Sequence, residues 1–117
     1  MFRRVLADIQ ERVTGTMAIS LMDLDGIAID SLNPASVELD VLRAEFGGFV
    51  KSIRLSSTDL DTGEVQQFTL VTEKYITMLS AITGDYYILL VLEPGGNYGR
   101  ARFELAKARH LLRDELS

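Results

Sequence analysis

The chain has 117 residues, 47% hydrophobic and 25% charged, a composition that suits one domain over residues 1–117 and leaves no room for a second independent core. Seventeen acidic against twelve basic residues give a formal charge of -5, which argues against a nucleic-acid surface built on phosphate neutralisation. With no cysteine and a single histidine, His110, the sequence excludes a disulfide framework, a thiol nucleophile, a zinc-thiolate site and paired-histidine chemistry.

At the N-terminus Phe2, Val5, Leu6, Ile9 and Val13 recur at i, i+3, i+4 and i+7, which predicts an amphipathic helix ending near Thr14-Gly15. Asp8, Gln10, Glu11 and Arg12 interrupt the segment, so it does not have the continuous apolar stretch of a targeting signal. The longest uninterrupted apolar run, Tyr86 to Leu92, is far short of the ~20 residues that a membrane-spanning helix needs. A cytoplasmic protein without membrane insertion is the expectation. Thr16 to Met22 and Ile27 to Asp30 then read as two strands of a hairpin around the turn Asp23-Leu24-Asp25-Gly26.

After the Asn33-Pro34 break, Ser36 is the expected N-cap of a helix from Val37 to Leu55. This helix carries two apolar stripes. Leu39, Leu42, Phe46, Phe49, Val50 and Ile53 face the core, and Val37, Val41, Ala44, Gly48, Lys51 and Leu55 form a second row that one sheet cannot cover. Gly47 and Gly48 each cost roughly 0.8–1 kcal/mol against alanine in a helix, a loss that close approach of another helix would offset.

Asp59 to Gly63 reads as a loop, followed by strands Val65 to Thr72, Tyr75 to Ile82 and Tyr86 to Leu92 in an antiparallel meander. The last of these shows no polar alternation and is expected at the centre of the sheet with helices on both faces. The first is a candidate edge, because Gln66, Gln67 and Thr69 offer little of the charge or proline that blocks strand addition. Tyr98, Ala101, Leu105, Ala108, Leu112 and Leu116 define a final amphipathic helix. The order α-β-β-α-β-β-β-α makes the chain an α/β (α+β) sandwich.

Tests for chemistry favour surfaces over a pocket. Asp23-x-Asp25-Gly26 lacks the further ligands of a calcium loop, and Asn33 stands near the position where the closing glutamate is needed. Pro94 to Gly99 sits between a strand and a helix but has no phosphate-loop lysine, and no Gly-x-Ser-x-Gly elbow is present. His110 reads as a surface or boundary residue, and the arginine pairs Arg3-Arg4 and Arg100-Arg102 read as solvated helix rims, with no feature marking one as a catalytic finger. No cofactor or catalytic residue is expected.

The Asp25-Gly26-Ile27-Ala28-Ile29-Asp30-Ser31 hairpin, the Ala44-Glu45-Phe46-Gly47-Gly48 helix centre and the Gly84 to Leu92 strand with its following helix resemble the roadblock/dynein light chain family, nearest its bacterial MglB-like members. The resemblance covers nearly the whole chain and implies a five-stranded antiparallel sheet in the order 2-1-5-4-3, one helix on one face and two on the other. It implies a homodimer paired through the edge strand and the central helix, with Val41, Ala44, Gly47, Gly48, Lys51, Leu55, Gln67, Thr69 and Val71 as dimer or partner residues. It also implies a small Ras-like GTPase as partner, regulated without a donated catalytic group. The alternatives are a dimer that recruits motor or signalling components, and a small-molecule sensor using Tyr75, Tyr86 and Tyr87. The sequence stops after the last helix, so exchange activity that depends on a C-terminal extension is not expected.

Overall fold

Along Tyr86–Leu92 alternate side chains point to opposite faces of the sheet, and both sets are apolar. Ile88, Leu90 and Leu92 join Leu6, Ile9, Ala101, Leu105 and Leu112 in one core, while Leu89 and Val91 join Leu39, Phe46 and Val50 in a second. A strand of this kind must be covered on both sides. In the computed structural model, which describes residues 2–116, it is β5 of the order α1 (Phe2–Arg12), β1 (Thr16–Asp23), β2 (Ala28–Leu32), α2 (Leu39–Leu60), β3 (Gln67–Val71), β4 (Ile76–Ala81), β5 and α3 (Tyr98–Leu116). The sheet is antiparallel throughout, in the order β2-β1-β5-β4-β3. α1 and α3 pack on one face and α2 on the other, as expected from the sequence.

Three local expectations are corrected. Ser36 does not cap α2: its φ is +54°, and the helix begins two residues later than expected, after Glu38, with no side-chain cap. The entry is held instead by Asn33, whose Oδ1 accepts the Val37 N–H at 3.0 Å and whose Nδ2 donates to the Val37 carbonyl at 2.9 Å. Asp59 and Leu60, expected in a loop, continue the helix, which stops where Asp61 turns left-handed (φ +53°) and donates its N–H to Ser57 O. Phe49, expected in the core stripe, is 38% exposed.

Gly47 is buried, and the close approach it permits comes from the β1–β2 turn, where expectation placed another helix. A Cβ there would lie 2.6 Å from the Leu24 carbonyl oxygen. Gly26, at φ +81°, is pressed just as closely against Arg43, and the turn and helix are fitted to each other.

Because backbone and not a flexible side chain occupies that space, Gly47→Ala is expected to lower the unfolding free energy by about 1–3 kcal/mol, as overpacked sites do. Leu89→Ala, at a fully buried position of β5, should cost about 2–5 kcal/mol, and Leu55→Ala, at an exposed one, within about 0.5 kcal/mol in the monomer. Urea melts of the three variants check the ranking.

Candidate functional site

α2 is fixed to the sheet by Leu39, Phe46 and Val50, which are buried among Met22, Leu79, Leu89 and Val91. Its opposite face is left to solvent. Val41 is 56% and Leu55 74% exposed, with Ala44, Gly48 and Lys51 exposed between them. Among the described residues nothing lies within 4 Å of a Cβ built on Gly48, so this glycine, unlike Gly47, makes room for no neighbour that the described chain supplies. Lys51 is engaged: its Nζ donates to Asp25 Oδ1 at 2.7 Å, across to the hairpin turn. Val37 falls before the helix and packs partly against the core.

Beside this face runs the free edge of β3, which among the described residues pairs only with β4. Ala81 N–H donates to Gln66 O and Thr72 N–H to Tyr75 O. In an antiparallel ladder the hydrogen-bonded pairs recur at every second residue, so Phe68 and Leu70 direct their backbone groups to β4. Gln67, Thr69 and Val71 therefore hold theirs outward, unpaired, on a short strand with no charged residue. Rings of Phe46, Phe49 and Phe68, with centroids 5.1 to 6.2 Å apart, tie α2 to this edge, and Phe49 and Leu70 are each 38% exposed beside it.

The expected site residues thus fall into two adjoining groups, Val41, Ala44, Gly48, Lys51 and Leu55 on α2 and Gln67, Thr69 and Val71 on β3, while Gly47 lies beneath the hairpin turn. Sequence reading missed Arg43. This nearly buried side chain donates to Gly26 O at 3.2 Å and to Ser31 Oγ at 3.3 Å, pairs with Asp40, and so pins α2 to the β1–β2 hairpin. Its position between the two apolar stripes gave no signal of burial, because Ser20 and Ser31, its neighbours in space, are remote in sequence.

Elsewhere the geometry is that of turns and rims. Asp23 Oδ1 accepts the N–H groups of Asp25 and Ile27, closing the hairpin turn. Asn97 Oδ1 accepts the Arg100 N–H at 3.0 Å and starts α3, so Pro94 to Asn97 lead into the helix and Tyr98 and Gly99 already belong to it. His110 is exposed at the rim of an open cleft of about 500 Å³ that Arg54, Glu64, Tyr87 and Arg113 also line. Among the described residues no three His, Asp or Glu side chains gather as metal ligands do, and no helix is long and apolar enough to cross a membrane.

Comparison with known proteins agrees with this architecture. The Roadblock/LC7 domain model matches residues 5–93. Among solved structures, a Roadblock/LC7 domain from Streptomyces avermitilis superposes with a TM-score of 0.86 at 17% identity, covering 97% of this chain and 95% of that one. MglC from Myxococcus xanthus gives 0.68 at 29% identity over 97% and 98%, and the gliding protein MglB from Thermus thermophilus gives 0.86 at 17% over 96% and 85%. No curated protein sequence matches.

Tyr87 supplies a pH test of the core under α2. Burial pushes its phenol above the ordinary value of 10.0, with the Arg54 guanidinium pulling the other way. The unfolded chain ionises this group first, so the stability it contributes is fully present below about pH 10 and is lost as pH rises toward the native value. Urea midpoints should fall between about pH 9 and pH 11, and Tyr87→Phe should flatten that slope.

Proposed function

The chain belongs to the Roadblock/LC7 domain family, and on that premise we propose that two copies pair through β3 and α2, and that the joined α2 surface binds a small Ras-like GTPase and shifts its switch conformation. The protein acts as a binding platform and donates no catalytic group. The observation that carries this reading is the coincidence of two unsatisfied features on one side of the molecule: the outward backbone of Gln67, Thr69 and Val71, and the exposed Val41, Ala44, Gly48, Leu55 row with its open glycine.

Each feature has a physical cost that pairing removes. A free antiparallel edge invites another strand, and a second β3 in antiparallel register would satisfy it. Two strands related in this way are joined by a two-fold axis normal to the sheet, so both α2 helices come to the same face. A glycine at the point of contact lets two helix backbones approach, which supports Gly48 as the crossing position. The GTPase as partner comes from the likeness to MglB-like proteins and from the exposed apolar Val41, Ala44 and Leu55 on α2.

Analytical ultracentrifugation should give a mass near twice 13.0 kDa. Thr69→Pro removes an N–H that the monomer does not use, and Gly48→Leu fills the open position; both variants should sediment near 13.0 kDa with their fold retained. A monomeric wild-type chain, or variants with unchanged mass, would overturn the pairing. With a purified cognate small GTPase, a complex on gel filtration and a changed hydrolysis or exchange rate are expected, and Val41→Asp with Leu55→Asp should abolish both. No complex and identical rates would overturn the regulatory role, and a complex without rate change would leave recruitment as the function.

A further inference from the structure

Charge is divided unevenly between the α1 and α3 layer and the rest of the chain. α1 and α3 hold eight of the twelve basic residues and five of the seventeen acidic ones, a net of +3, and the remainder of the chain, with four and twelve, has a net of -8. Of the five acids in the basic layer, Glu104 is neutralised where it stands. Its carboxylate, 2% exposed, lies between Arg12 Nη1 at 3.4 Å and Arg100 Nε at 3.1 Å, the latter off the line of a hydrogen bond.

Out of this basic layer project large apolar side chains that the core does not cover. Phe103 is 61% and Leu111 53% exposed, and Tyr98 is 38% exposed at the start of the helix. Phe103, Lys107 and Leu111 follow at i, i+4 and i+8, so they share one stripe about 12 Å long on the outer side of α3. Cations surround the apolar tips. The Arg100 guanidinium lies 5.6 Å from the Phe103 ring centre and that of Arg102 5.9 Å from the Tyr98 ring, and Arg12 and Lys107, with Asp8 as the one carboxylate besides Glu104, border the seam between α1 and α3 beside Leu111.

We propose that this outer face of α1 and α3 docks on an anionic phospholipid bilayer surface. Two features favour a bilayer over a protein. The seam between the helices is shallow, a dimple of about 20 Å³ that is too small to receive an anchoring side chain of the sort that protein interfaces depend on. The combination of projecting Phe and Leu tips with a ring of Arg and Lys is what a headgroup layer accommodates, apolar tips entering the interface and cations meeting lipid phosphates and carboxylates. α2 lies across the sheet and is turned away from the membrane.

The test is co-sedimentation of the full chain with vesicles of phosphatidylcholine containing roughly 30 mol% phosphatidylserine, against vesicles of phosphatidylcholine alone. Binding to the first and not the second is expected, weakening as NaCl rises from about 0.05 to about 0.5 M. Phe103→Glu with Leu111→Glu should reduce the apparent affinity at least ~tenfold, Lys107→Glu should reduce it by less, and the milder Phe103→Ala with Leu111→Ala should also weaken it while leaving the thermal melt unchanged. Thr69→Pro, which tests the pairing edge, should still bind, so failure here is separate from failure of the dimer. No sedimentation with anionic vesicles at low salt, binding indifferent to the Phe103 and Leu111 changes, or binding of soluble poly-L-glutamate in place of vesicles would each overturn the proposal.

Discussion

A strand that is apolar on both faces cannot be left with one of them in water, and β5 imposes that condition on everything around it. With β1 and β4 as its neighbours it fixes the middle of the sheet, and its two sets of side chains demand a helical layer above and another below. The two layers are unequal. Five strands span about 19 Å at ~4.8 Å between neighbours, which a pair of helices ~10 Å wide can cover and a single helix cannot. At the β3 edge both faces are incompletely covered, with Val71 68% exposed on the α1 and α3 side and Leu70, beside Phe49 of α2, 38% exposed on the other. The open region beside α2 follows from this shortfall in width.

The position of α2 over the incomplete face is set by polar and steric fitting as much as by apolar packing. The hairpin turn sits on the helix at Gly47, Gly26 admits the helix backbone, and Arg43 reaches beneath the turn to Gly26 O and Ser31 Oγ. Lys51 and Asp25 close the contact from outside. A buried guanidinium is costly unless its donors are satisfied, so this group makes sense only when helix and hairpin are docked in one register. Docking in turn leaves Val41, Ala44, Gly48 and Leu55 no choice but to face outward.

Element order, the central place of β5 and the edge character of β3 were legible in the sequence because they rest on periodicity and on runs of residue type, which are local. The two-stripe reading of α2 was legible for the same reason. What sequence did not disclose depends on contacts between distant segments. Ser36 has the composition of an N-cap, but the Asn33 to Val37 bonds turn the chain left-handed at Ser36. Asp59 and Leu60 look like loop residues, and the helix carries them as far as Asp61. Gly47 and Gly48 are adjacent and indistinguishable in composition, yet a Cβ on the first would lie 2.6 Å from the Leu24 carbonyl oxygen and a Cβ on the second would meet open space. Periodicity gives a residue its face, and only the packed structure says what stands opposite.

The width of the sheet also bears on why pairing across β3 is a sound solution for this sequence. An antiparallel β3 to β3 join would keep each face of the sheet on its own side, bringing the second α2 to the under-covered face beside the first. Phe49, Leu70 and the Gly48 row lie where that second helix would arrive, so one contact would complete the cover and end the free edge together. The same two-fold axis would double the α1 and α3 layer on the opposite face without bringing it into the contact. A small chain could in this way keep two independent surfaces, because the sheet that holds them apart is the one element that the pairing extends.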